Sequence, residues 1–166
     1  MGNISRMSAV IAIVTLVAVT AISHAQAGAE QRKLDPLGGK WRIDVDVKAS
    51  AAGPATKVTG TDDCEWFANM PLVCKADAGA YRAMRTISYV PAMKQYAMYT
   101  VDSFGYAAFS MGQVQGPTWT FATEAGGVKY RTVIKTSAGA YTSTAEYAGA
   151  DGKRIATSET KATRPK

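Results

Sequence analysis

From Lys40 to Lys48 apolar and polar residues alternate: Trp41, Ile43, Val45 and Val47 on one side, Arg42, Asp44, Asp46 and Lys48 on the other. Period two over that length predicts a β-strand with one dry face and one wet face. The pattern returns along the rest of the chain. It predicts further strands over Lys57–Phe67, Leu72–Asp77, Tyr81–Val90, Gln95–Val101, Gly105–Met111, Thr118–Thr123, Lys129–Lys135, Tyr141–Ala148 and Lys153–Thr163. Turn-forming residues stand between them, among them Ala78-Gly79, Asp102-Ser103, Gly126-Gly127 and Asp151-Gly152. Short strands at such spacing predict an all-β protein. Short turns favour an antiparallel up-and-down meander, and closing it into one barrel of about ten strands removes the exposed edges. Residues 28–166 are expected to form this single barrel domain, with 28–36 as a polar, flexible lead-in. An outer-membrane barrel is disfavoured, because the outward face of the first strand is charged.

Both cysteines lie in one predicted hairpin, placed symmetrically about Asn69. Strand parity puts Val58, Gly60, Cys64 and Trp66 on one face, with Leu72, Cys74 and Ala76 opposite them. Cys64 and Cys74 then meet in register on the inner side, and a structural disulfide is expected. Closing a loop of that size contributes about 2.8 kcal/mol in the chain-entropy picture. Two buried thiols or a redox pair are the alternatives. A redox pair usually has C-x-x-C spacing, which is absent here.

The first 27 residues read differently. Arg6 and the amino terminus precede an apolar run, Ser8 to Ile22, and Ala25 and Ala27 supply an A-x-A cleavage pattern. This predicts a secretory signal peptide over 1–27, so the protein is expected in the periplasm or secreted medium with no stable membrane span. An oxidising compartment agrees with the disulfide. The chain carries 19 Lys+Arg against 13 Asp+Glu, and the predicted signal holds only Arg6 of these. The basic residues are scattered, so no nucleic-acid partner is expected.

Several motifs carry a resemblance. Gly39-Lys40-Trp41 opens the first strand. Cys64-Glu65-Trp66-Phe67 is followed by Val73-Cys74. Tyr89 and Tyr96 flank a proline-containing loop, and Gly105, Gly112, Gly116-Pro117-Thr118-Trp119, Tyr130-Arg131 and Glu146 ahead of Asp151-Gly152-Lys153 complete the set. Together these resemble a bacterial family of exported, calycin-like (lipocalin-like) β-barrel proteins known as a domain of unknown function. The resemblance implies an antiparallel barrel and no particular activity. It also implies that Arg164 or Arg154 closes over Trp41 through a cation–π contact. The architecture is similar, more distantly, to the nitrobindin-type barrels, which hold haem through a histidine. Here the only histidine is His24, inside the predicted signal. No cofactor is expected.

The same lack of histidine removes Ser-His-Asp and Cys-His chemistry from residues 28–166. It also removes the commonest zinc ligand. No catalytic or metal-ligating residues are therefore assigned. Asp63 and Glu65 read as a solvated face, and inward acids are confined to Asp62 and Glu146. All 15 aromatic residues follow the predicted signal, and inward parity gathers Trp41, Trp66, Tyr81, Tyr89, Trp119, Phe121 and Tyr130. A barrel of this strand number can hold a small ligand or be filled by its own side chains. The first reading predicts non-catalytic binding of a small hydrophobic or amphipathic molecule, with Trp66, Tyr81, Arg85, Tyr89, Trp119 and Phe121 as candidate contacts. In it an inward Arg85 meets a ligand carboxylate or phosphate. The second reading is a ligand-free structural or protein-interaction module of the cell envelope, with Arg85 satisfied by Asp62 or by solvent at the rim. Tyr99, Phe104, Tyr106 and Phe109 lie on mixed parities, so some of them must face outward, where such a module would use them. The oligomeric state is left open.

Overall fold

The structure is a computed structural model, which describes residues 28–50, 53–68, 70–103 and 105–165. The predicted signal segment, Asn69 and Phe104 lie outside the described residues. Ten strands form one closed antiparallel barrel in chain order. They are β1 (Gly39–Val47), β2 (Thr56–Trp66), β3 (Leu72–Ala78), β4 (Tyr81–Val90), β5 (Gln95–Asp102), β6 (Ala107–Gln115), β7 (Thr118–Ala125), β8 (Val128–Ser137), β9 (Ala140–Ala148) and β10 (Arg154–Thr163). Closure pairs β1 with β10, from Arg42 opposite Thr163 to Val47 opposite Ser158. Each predicted strand is present with its ends within two residues, except that β6 runs four residues past the expected Met111 to Gln115.

The hairpin register follows the parity argument. Cys64 stands opposite Cys74, and the two form a disulfide. Asp62 stands opposite Ala76 and Trp66 opposite Leu72.

The barrel has two unlike ends. Inward side chains shrink along β3, from Leu72 and Cys74 to Ala76 and Ala78. On β10 they shrink toward the same end, from Thr160 through Ser158 to Ala156. The wide-residue end is filled. Leu34, Leu72 and Phe121 are wholly buried there, together with Trp41, Ile87, Tyr96 and Trp119. Gly112 stands opposite Phe121, and a Cβ on it would collide with the Phe121 ring. The small-residue end is left hollow.

The segment before β1 corrects one expectation. Residues 28–32 are helical and a 3-10 turn follows at Asp35–Leu37. Leu34 and Leu37 enter the core, so the segment is a plug rather than a flexible lead-in. Two leucines in a polar stretch are enough, because the filled end of a barrel needs a lid over its aromatic side chains. Polar groups hold the lid in place. The Tyr89 amide donates to Gln31 Oε1 at 2.6 Å, and Tyr96 Oη donates to the Glu30 carbonyl at 2.8 Å. Trp41 Nε1 donates to the Leu37 carbonyl at 2.9 Å.

Arg164 closes the same end, as the resemblance implied for one of two arginines. Its guanidinium lies 3.6 Å from the centre of the Trp41 ring. Gly39 has φ of 95°, and a Cβ there would run into that guanidinium. The glycine of the G-x-W motif is thus explained by both backbone conformation and space.

Candidate ligand cavity

The hollow half encloses a cavity of about 490 Å³. One side is aliphatic and small, built from Val45, Val58, Ala76, Ala78 and Ala156 on β1, β2, β3 and β10. Tyr81, Tyr106, Tyr130 and Tyr147 form the other side. Three of these rings pack on one another. Tyr130 and Tyr147 have centroids 4.9 Å apart, Tyr106 and Tyr147 5.4 Å, and Tyr106 and Tyr130 5.7 Å. Tilted and edge-on arrangements such as these are the favourable ones for aromatic pairs.

The floor is polar. Asp62 on β2, Arg85 on β4 and Tyr141 on β9 meet between the cavity and the filled half. Inward parity places all three. Arg85 faces Cys74 across the β3–β4 pair, one step from the Ala76 that faces Asp62. Arg85 Nη2 donates to Asp62 Oδ2 in a close ion pair, and to Tyr141 Oη at 3.2 Å. Tyr141 Oη in turn donates to Asp62 Oδ2 at 2.6 Å. Asp62 is 1% exposed, whereas the Arg85 side chain keeps 24% exposure. Asp62 Oδ1 and Arg85 Nε have no hydrogen-bond partner among the described residues. The Tyr141 ring rests edge-on against Trp41 at 5.0 Å, which ties the floor to the closure beneath it.

These surroundings set the charge states. Burial opposes the Arg85 charge, but the Asp62 carboxylate together with Tyr141 and Tyr81 outweighs it and holds the guanidinium protonated beyond its ordinary range. Burial pushes the Tyr141 and Tyr106 phenols up to about 12. It also raises Tyr81, Tyr130 and Tyr147, so the wall presents neutral hydroxyls. Asp62, Cys64 and Cys74 lie within 4.8 Å of one another, but the two sulfurs are bonded together and offer no thiolate.

Of the six contacts expected from sequence, Tyr81 and Arg85 line the cavity. Phe121, Trp119 and Tyr89 pack into the filled half at 0%, 2% and 8% exposure. Trp66 stands at its rim, donating to Asp35 at 3.1 Å under the Arg32 guanidinium. Inward parity does not say which end of the barrel a residue occupies, and the plug was unseen. Glu146 points outward toward Arg131 and Arg154. Tyr141 and Tyr147 were missed, although the alternation Tyr141, Ser143, Ala145, Tyr147 on β9 would have given both. Tyr106 precedes β6, where strand parity does not apply. Tyr99 and Phe109, paired across β5 and β6, are exposed outside.

No family model matches this chain, and no curated protein does. Solved structures do resemble it. A DUF3598-family protein of unknown function from Nostoc punctiforme superposes with a TM-score of 0.55 at 8% identity. That match covers 80% of this chain and 48% of the other, so this chain spans about half the length of that protein. The S-type phycobiliprotein lyase CPES from Guillardia theta superposes with a TM-score of 0.55 at 12% identity, over 80% of this chain and 90% of the lyase. At such identities the likeness is one of fold: this chain is a ten-stranded, calycin-like β-barrel.

Proposed function

We propose that the protein is an exported, non-catalytic carrier or sensor that holds a small, largely apolar molecule in the hollow half of its barrel. One observation carries this reading. A cavity of about 490 Å³, in the size range of small-molecule sites, combines aliphatic and aromatic walls with a few convergent polar groups. The chemical inventory of residues 28–166 supports a binding role over a catalytic one, since His24 lies before them. The run Ser8 to Ile22 followed by Ala25 and Ala27 supports export. CPES, a barrel of this fold, is named a phycobiliprotein lyase; the present reading takes from it only that such a barrel suits work on small molecules.

Native mass spectrometry of the protein purified from its own export compartment tests this, with a denatured run beside it. Extra mass lost on denaturation, and absent in an Ala145→Trp variant that fills the cavity, is the expected result. An adduct that survives Ala145→Trp sits elsewhere and overturns the reading. The denatured mass also reports the amino terminus, which is expected at Gly28.

A further inference from the structure

The charged side chains that line the cavity are Asp62, Asp102 and Arg85, among the described residues. The one cation is already engaged. Arg85 pairs with Asp62, and Tyr141 satisfies the same carboxylate oxygen from the other side. A ligand carboxylate reaching the floor would have to displace Asp62, which is 1% exposed and packed into the wall. Alternatively it would sit beside Asp62 and add a second negative charge in a poorly screened site. Either course is costly, because a buried charge stripped of its partner is penalised heavily. An uncharged oxygen faces neither penalty. The part of Arg85 left exposed to the cavity can donate to it while the ion pair stays intact.

We infer that the cavity selects ligands with an uncharged polar head, an alcohol or carboxamide on an apolar body, and rejects the corresponding carboxylates. The inference rests on the proposed binding role and names the ligand class for that site. Arg85 is then a hydrogen-bond donor to a neutral group and not an anion anchor. Asp62 is the residue that sets the specificity, by neutralising Arg85 before the ligand arrives.

The test uses the uncharged dye N-phenyl-naphthylamine as the cavity reporter, displaced by decanol, decanamide, decanoate or decylammonium at about pH 8, where decanoate is fully ionised. Decanol and decanamide are expected to displace the dye at least about tenfold more tightly than decanoate, as a like charge near Asp62 in a poorly screened site requires. In Asp62→Asn the order of decanol and decanoate is expected to invert, since Arg85 is released. Decanoate preferred by the wild type overturns the inference while leaving the binding role standing, and decylammonium bound as tightly as decanol overturns the neutral head. If the dye and all four chains fail to bind, the binding role itself falls. The wild-type ranking decides even if Asp62→Asn does not fold.

Discussion

Tyr141 and Arg85 converge on one oxygen of Asp62. The phenol donates at 2.6 Å, and the guanidinium forms a close ion pair with the same atom. These residues come from β9, β4 and β2, so the contact fixes three parts of the barrel wall to one another. Removing the cation strips the Asp62 carboxyl of its partner at a position that is 1% exposed. Arg85→Met is therefore expected to cost about 3 kcal/mol of stability, the scale for breaking a buried pair. The double variant Asp62→Leu with Arg85→Met removes both charges and is expected to recover most of that loss. Urea denaturation of the wild type, the single variant and the double variant checks the order. A single variant as stable as the wild type would show that water already screens the pair.

The tyrosine wall predicts an alkaline transition. In the unfolded chain a phenol loses its proton near pH 10. In the folded protein burial holds Tyr141 and Tyr106 protonated to about 12, with Tyr81, Tyr130 and Tyr147 also raised. A folded pKa above the unfolded one means that the folded state binds more protons in this window. Stability contributed by these groups is thus complete below about pH 10 and falls as pH rises toward about 12. Tyr141, only 2% exposed, accounts for up to about 2–3 kcal/mol of that loss. Phenolate absorbance is expected to lag the denatured control and then to rise together with loss of near-ultraviolet circular dichroism. Absorbance that follows a simple curve centred near pH 10 in the folded protein would contradict the burial argument.

The sequence made the barrel legible because every strand is wet on one side and dry on the other, and period two survives any change of partner. It also made the Cys64–Cys74 register legible, since parity about a short turn leaves little freedom. The division into a filled and a hollow half was not legible. That division depends on how far along a strand each residue sits relative to its neighbours, a property of strand stagger around the closed wall. Leu72 and Ala78 share a face and a strand, yet one belongs to the core cluster that includes Leu34 and Leu37 and the other lines the cavity. Arg85 was read correctly as inward-facing, and Asp62 was weighed as its partner. Tyr141, the third member of the floor, was within reach of the same parity, but the small Ser143 and Ala145 between Tyr141 and Tyr147 make that face of β9 a weak apolar stripe.

The stack of Arg164 on Trp41 at 3.6 Å joins the last described residues to the first strand. Arg164 also donates to the Lys40 carbonyl at 3.5 Å, a long contact that adds little. Its contribution is then mainly cation–π at an exposed site, and Arg164→Ala is expected to cost about 1 kcal/mol. Arg164→Lys should retain part of this, while Arg164→Gln should behave like alanine. Thermal unfolding of the three variants checks the order, with tryptophan fluorescence reporting the Trp41 environment. Equal melting of the lysine and glutamine variants would remove the cation from the explanation.

Leu34 provides the sharpest separation between the two halves of the barrel. It is wholly buried at the filled end, and Leu37 and Gln31 beside it hold the plug against Tyr89 and Trp41. Leu34→Ala leaves a void that a packed core closes only in part, so a loss of about 2–4 kcal/mol is expected. The cavity lies on the other side of the Asp62–Arg85–Tyr141 floor, and none of its lining residues belongs to the plug. Dye binding by the still-folded variant is therefore expected to be unchanged within about twofold, since sites without shared partners are close to additive. Denaturant titration gives the first quantity and dye titration below the unfolding transition gives the second. Weakened dye binding in Leu34→Ala would mean that the plug props up the floor, and that the filled and hollow halves act as one unit.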